Sequence, residues 1–231
     1  MQGAGPLLKP TVPAPPASEL SRLLAEHAPL RPAPLCPELQ VFHARSLVEV
    51  WQAAEAMAGA TLPAPFWAYP WPGGSALARL VLDRPELVRG RNVIDFGAGG
   101  GVTALAAARA GGTVTANDVD PWAVAVAGLA AGTQGLQLQP LIDDLCATPQ
   151  LVDDFDVVLC SDLAYERSET PRQRSVLERA LRNGATVLAA DAGRTYFDET
   201  GMRLLASFDM AVPHDLEGVP RRTARVYLMT G

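Results

Sequence analysis

Between residues 92 and 190 the chain switches repeatedly between short apolar runs and stretches with helical spacing. The runs predict strands over Asn92–Asp95, Thr113–Ala116, Leu136–Ile142, Phe155–Cys160 and Ala185–Ala190. Between them, helices are expected over about Val102–Ala110 and Pro121–Ala130, with Ser175–Arg182 in a third. Gly111-Gly112 stops the first, and Pro121 opens the second in a favoured first-turn position. A fourth helix is expected over about Glu199–Ala206, followed by strands near Phe208–Val212 and Thr223–Met229. Only a turn, Glu217-Gly218-Val219-Pro220, separates those two, so they read as an antiparallel edge hairpin. Alternating strands and helices with short connections predict an α/β class: a doubly wound, mostly parallel seven-strand sheet ending in an antiparallel hairpin.

The first third of the chain reads differently. Residues 1–37 are rich in Pro and Ala, which favours extended backbone and predicts a flexible arm. Within it, Ser18 to Ala28 can form a short helix with Ser18 as cap. Leu39–Phe42 is expected as a short strand and Ser46–Ala58 as a helix ended by Gly59. The segment from Leu62 to Gly74 holds several prolines and the aromatics Phe66, Trp67, Tyr69 and Trp71, so it is neither regular helix nor strand. It is either a packed loop over the sheet edge or an aromatic wall around a ligand, and its place beside a glycine turn favours the wall. Ser75–Leu82 then returns to helix. The expected organisation is an arm over 1–37 and one domain over 38–231, with a lid over 38–90 and a ligand-binding core over 91–231.

Composition narrows the classes. With 48% hydrophobic residues in 231 the chain is globular rather than disordered. A net charge of −6 argues against a non-specific nucleic-acid grip and leaves basic proteins and small molecules as partners. Cys36, Cys146 and Cys160 lack metal or redox spacing, and the three histidines are scattered, so no metal site is expected. No apolar run reaches bilayer length, and no signal-peptide pattern opens the chain; a cytoplasmic protein is the expectation.

Chemistry concentrates after the first core strand. Asp95-Phe96-Gly97-Ala98-Gly99-Gly100-Gly101 is a strand end, a tight glycine turn and the start of a helix. Such a turn brings a ligand against bare backbone amides. The stretch from Gly99 to Ala104 also satisfies G-x-G-x-x-A, the Rossmann dinucleotide fingerprint, and Asp118 lies where a ribose-binding acid belongs. A nicotinamide or flavin protein is therefore open. The acids shift the balance. A carboxylate at the mouth of the turn repels a pyrophosphate but suits the ammonium and sulfonium of S-adenosyl-L-methionine. Asp118 then accepts from the ribose hydroxyls, and Asp143 and Asp144, after the third strand, from the adenine amino group.

With those motifs in place, the sequence resembles the class I S-adenosylmethionine-dependent methyltransferases, whose Rossmann-like fold also ends in an antiparallel strand. Pro65 to Gly74, then Leu82 to Gly90, Ala116-Asn117-Asp118-Val119-Asp120-Pro121, Ser161-Asp162-Leu163-Ala164-Tyr165 and Asp191-Ala192-Gly193-Arg194 are similar to motifs of the electron-transfer-flavoprotein β-subunit lysine methyltransferases. The resemblance runs from about residue 36 to the C-terminus. It departs at Ala164, where the family usually carries Phe, and at Ala192, where it carries Pro.

The resemblance implies a protein-lysine acceptor, with the flavoprotein subunit or a ribosomal protein as substrate. It implies Asp162, Tyr165 and Trp71 as catalytic residues. For the cofactor it implies Trp71, Asp95, Gly97, Gly99, Gly101, Asp118, Asp144 and Asp162. In this reading Asp162 orients the amine, Tyr165 packs against it, and Trp71 offers a ring face to the lysine or sulfonium. Arg194 either holds an acidic group of the substrate or caps the sheet edge. Small-molecule N-methylation from the same cofactor site and a nicotinamide-dependent oxidoreductase are the alternatives. Asn/Asp-Pro-Pro-Tyr/Phe, the motif of amide and base methyltransferases, is absent after the fourth strand.

Overall fold

The computed structural model describes residues 12–231. Its centre is a seven-stranded sheet in the order β5-β4-β3-β6-β7-β9-β8. Five strands run parallel: β3 (Asn92–Phe96), β4 (Thr113–Asp118), β5 (Gln139–Ile142), β6 (Val157–Ser161) and β7 (Thr186–Asp191). The last two, β8 (Met202–Ala211) and β9 (Arg221–Met229), form an antiparallel hairpin, and β9 joins the sheet antiparallel to β7.

The core strands are apolar in continuous runs because both faces are covered. Val93, Val157, Leu159 and Leu188 pack under α3 (Pro72–Asp83), α4 (Val102–Arg109) and α5 (Pro121–Gly132). Ile94, Val158, Cys160 and Val187 face the other way, against Val176, Leu177 and Ala180 of α6 (Thr170–Arg182). Alternate residues of one strand thus enter two separate cores, as the period of two requires. Cys160 lies in the second core, its thiol pushed well above its ordinary range by burial.

The expected core strands are all present, with ends that differ by one to three residues. The expected helix over Glu199–Ala206 is not. Residues from Met202 on already belong to β8, and a bulge between Leu204 and Ala206 interrupts the register. The bulged Leu205 makes Leu204-Leu205-Ala206 a continuous apolar run, which masks the alternation and made an edge strand look helical. The β8–β9 connection is more than a turn and carries a four-residue helix, α7 (His214–Glu217).

The N-terminal expectations change more. Residues 1–11 of the expected arm lie outside the described residues. From Ala17 the chain is packed: α1 (Ala17–His27) buries Leu20, Leu23 and Leu24. No side chain caps it, and Pro16 rather than Ser18 stands at its N-cap. Then β1 (Leu30–Ala33) and β2 (Cys36–Phe42) form a separate antiparallel hairpin. The prolines made this stretch look extended, but three leucines on one helix face bury enough apolar surface to fold it against the domain. After it, α2 (Leu47–Ala58) is capped by Ser46, whose Oγ accepts from the Glu49 N–H at 3.3 Å. Gln134, just beyond α5, holds β2 from the core side: it accepts from Gln40 N–H (2.9 Å) and donates to Gln40 O (2.8 Å).

Candidate active site

In the sheet the connections reverse direction between β3 and β6, the switch point at which such folds bind ligands beyond the carboxyl ends of their strands. There the strand ends, the aromatic segment and β2 enclose a cavity of ≈ 390 Å³. That volume falls in the range of small-molecule sites. Val41 and Phe42 close one side; Phe66, Trp67, Tyr69 and Trp71 form the aromatic wall expected from the sequence.

The glycine turn forms the base. Gly97, Gly99 and Gly101 have φ of +71°, +52° and +86°, a backbone that side chains resist. Gly97, Gly99 and Gly100 line the cavity. A Cβ on Gly100 would collide with the Trp67 carbonyl oxygen, so glycine lets the aromatic segment lie against the turn. Gly101 differs from expectation: it is not on the cavity wall, and a Cβ there would stand 2.7 Å from Ala127 Cβ. It lets α4 approach α5.

Of the acids expected to grip the cofactor, Asp118, Asp95 and Asp144 separate into three roles. Asp118 is on the wall. Its Oδ2 accepts from Gly99 N–H (2.9 Å) and its Oδ1 from Asp120 N–H (3.0 Å). Each oxygen keeps a lone pair for a ribose hydroxyl. Burial raises its pKa against the pull of those amides. Asp95 is not on the wall. Its carboxyl lies wholly buried below the start of α4, where the Ala104 amide offsets part of the cost of burial, with Oδ2 lacking a partner. Burial, with the Asp118 charge adding to it, pushes it up to about 7. Asp144 is also off the wall. Its Oδ1 accepts from Cys146 N–H (2.9 Å) and its Oδ2 pairs with Arg172 (3.3 Å), so it organises the turn after β5. The sequence places these carboxylates at strand ends correctly, but backbone spacing does not say which way they point.

Two further acids line the cavity that sequence reasoning missed, Asp120 and Glu166. Asp120 also caps α5, accepting from Trp122 N–H at 2.9 Å, and burial raises it to about 6. The signal for it was the Asp120-Pro121 helix start, which resembled an ordinary cap.

Across the cavity, Asp162 follows β6 with φ +51°, a left-handed conformation rare outside glycine. Strain of this kind persists where surrounding bonds over-determine it. Here the Asp162 N–H donates to Ala190 O (3.0 Å), Oδ2 accepts from Gly73 N–H (2.6 Å) and Oδ1 from Ala192 N–H (3.3 Å). A Cβ on Gly73 would stand 2.6 Å from Oδ2, so only glycine admits this carboxylate so close to the start of α3. Burial raises the pKa of Asp162 while Arg194, its Nε 3.4 Å from Oδ1, pulls it down.

Arg194 settles neither of the two roles expected for it. Its guanidinium ion-pairs inward with Glu217, a buried acid of α7, and with Asp162, and its Cζ stands 5.3 Å from the Trp71 ring centroid. One face of Trp71, expected to meet lysine or sulfonium, is therefore taken by Arg194. Its indole N–H donates to Phe66 O at 2.8 Å. Tyr165 stands at the mouth, 5.5 Å from Phe66 between ring centroids, and both are about half exposed (50% and 46%) while Asp162 is buried.

The lining fits a cationic adenosine ligand. Asp118, Asp120, Asp162 and Glu166 face the cavity, against one cation, Arg194, already paired with Glu217. Val119, Ala123 and Leu163 supply apolar surface for a flat base. A pyrophosphate would meet the same carboxylates and be repelled.

Comparison with known proteins agrees. A family described as "Methyltransferase domain" matches residues 93–190. The electron transfer flavoprotein beta subunit lysine methyltransferase of Xenopus laevis is 31% identical over 179 residues, 75% of this chain and 70% of that protein. The protein of the same name from Danio rerio is 35% identical over 147 residues, 61% of this chain and 55% of its own length. The chain thus spans about half the length of several of these curated relatives. Among solved structures, PH1948 of Pyrococcus horikoshii, a candidate RNA methyltransferase, superposes with a TM-score of 0.53 at 18% identity, covering 93% of this chain and 97% of that one. At that identity the likeness speaks for the fold.

Proposed function

Because this chain belongs to the class I S-adenosylmethionine-dependent methyltransferases, in the family of the electron transfer flavoprotein beta subunit lysine methyltransferases, we propose that it methylates the side-chain amine of a protein lysine. The observation that carries the reading is the mouth of the cavity. Phe66 and Tyr165 stand half exposed above a buried carboxylate, a shape that takes a long side chain presented by another protein. A closed pocket over Trp71 and Tyr165 would have favoured a free small molecule.

S-adenosyl-L-methionine, when bound, supplies a methyl group on a sulfonium leaving group. In this reading Gly97, Gly99 and Asp118 hold the cofactor. The protein's remaining work is to position and dehydrate the acceptor. A lysine amine has an ordinary pKa of about 10.4 and must lose a proton before its lone pair can attack. Phe66, Trp71 and Tyr165 strip water from it, which favours the neutral amine. Asp162 accepts one N–H and aims the lone pair; its charge alone would favour the ammonium, so its part is orientation. The proton leaves to solvent through the mouth.

The candidate substrates are the electron transfer flavoprotein β-subunit, methylated by the relatives as their names state, and a ribosomal protein. Incubating the protein with labelled S-adenosylmethionine and a cell lysate, then separating macromolecules from metabolites, tests the reading. Label on protein lysine supports it. Label on metabolites alone overturns it. Asp162→Ala should retain S-adenosylhomocysteine binding and lose transfer. Loss of both would make Asp162 structural.

A further inference from the structure

Glu217 ends the four-residue helix α7 in the β8–β9 connection, far in sequence from every motif of the site. Its carboxylate is fully enclosed, with a side-chain exposure of 0%. A buried charge needs partners, and this one has two. Arg194 Nη2 donates to Oε1 (3.0 Å) and Nη1 to Oε2 (3.1 Å), a fork against a fork. Arg222 Nε donates to Oε2 (3.1 Å) and its Nη2 to the Glu217 carbonyl (2.9 Å).

The consequence falls on Asp162. Arg194 turns both terminal nitrogens to Glu217, so only its Nε faces Asp162, at 3.4 Å, longer than either bond to Glu217. A guanidinium released from Glu217 would present its fork to Asp162, since bidentate carboxylate pairing is the stronger arrangement. That would fill the lone pairs an incoming amine needs. We infer that Glu217 is a positioning residue for the acceptor site: it draws the Arg194 fork away from Asp162 and leaves that carboxylate open to the lysine amine. The inference rests on Asp162 meeting the acceptor. The charges around Asp162 are Arg194 after β7, Glu217 on α7 and Asp191 at the end of β7. Tyr69 of the aromatic segment and Cys160 of β6 also face it. Asp191 accepts from the Gly193 and Arg194 amides (2.6 and 2.7 Å), which fixes the backbone from which the Arg194 side chain swings.

Glu217→Gln keeps the size and removes the charge. In the full chain it is expected to raise KM for a lysine-bearing protein about tenfold with kcat within about threefold, and to leave S-adenosylhomocysteine affinity unchanged. The titration midpoint of Asp162, followed by carboxyl carbon NMR and assigned with Asp162→Asn, should fall, because the nearby Glu217 charge is gone and Arg194 closes on it. The double variant Glu217→Gln/Arg194→Met removes the competing cation too, so acceptor KM should return to within about threefold of wild type and the midpoint should rise. It also tests the inference should the single variant not fold. Unchanged KM and midpoint in Glu217→Gln, or a double variant whose acceptor KM stays raised about tenfold, would overturn the assignment. A wild type that methylates no lysine would overturn the lysine reading instead, while the midpoint, which needs no acceptor, still judges Glu217.

Discussion

Asp95 stands directly before the glycine turn, yet its carboxyl faces the protein interior, with Oδ2 unpartnered and the group pushed up to about 7. Its pKa in the unfolded chain is near the ordinary 3.8. Folding therefore favours the protonated form. The group's contribution is full at acid pH, declines as pH rises through this window and levels off above about 7. Between about pH 5 and about pH 8, a carboxyl with these two values loses about 2–3 kcal/mol of folded-state stability. For a domain of this size that is about 5–10 °C in Tm. Asp95→Asn removes this dependence. Its amide oxygen can still accept from Ala104 N–H, and any cost of an unpartnered amide nitrogen is equal at both pH values. Thermal unfolding of both proteins across this range, by circular dichroism, isolates the effect. Asp191, also near 7 through burial, is present in both and cancels. Wild type should lose about 5–10 °C more than Asp95→Asn between the two pH values. Parallel profiles would refute the assignment of Asp95 as a buried, reluctantly ionised acid.

Three substitutions probe the site. Gly73→Ala pushes a methyl onto the Asp162 carboxylate and should lower kcat/KM at least tenfold, about the worth of one charged hydrogen bond, with S-adenosylhomocysteine affinity within about threefold by calorimetry. Gly100→Ala drives a methyl into the Trp67 carbonyl and should instead weaken S-adenosylhomocysteine binding by about tenfold or more in the same assay. Phe66→Ala, at the mouth, should raise KM for a protein acceptor several-fold and leave cofactor binding intact, as read from initial rates against acceptor concentration.

Much of the fold was legible because parallel strands covered on both faces must be apolar throughout, as Val157 to Cys160 is. β8 was not: at its bulge Leu204, Leu205 and Ala206 form an unbroken apolar run, which hides the alternation of Met202, Phe208 and Met210 that marks a strand. The packed helix α1 was half legible, because its leucines were visible while the prolines before it argued for an arm. At the site, Asp118 and Asp162 were legible from strand ends and motifs. Asp95 and Asp144 stand at the expected strand ends but off the cavity wall, since a strand-end carboxylate can turn to the cavity, to the interior or to an arginine. Glu217 was invisible. Only its position among Val212, Leu216 and two following arginines hinted at a buried pair, and the partner Arg194 is 23 residues away.

The most direct test is to incubate the purified protein with S-adenosylmethionine and the purified electron transfer flavoprotein β-subunit, then map methyl groups by peptide mass spectrometry. Methyl groups are expected on lysine side chains of that subunit, formed by wild type and lost with Asp162→Ala. Efficient methylation of a small-molecule amine, with every lysine of the subunit and of ribosomal proteins left unmodified, would contradict the lysine reading.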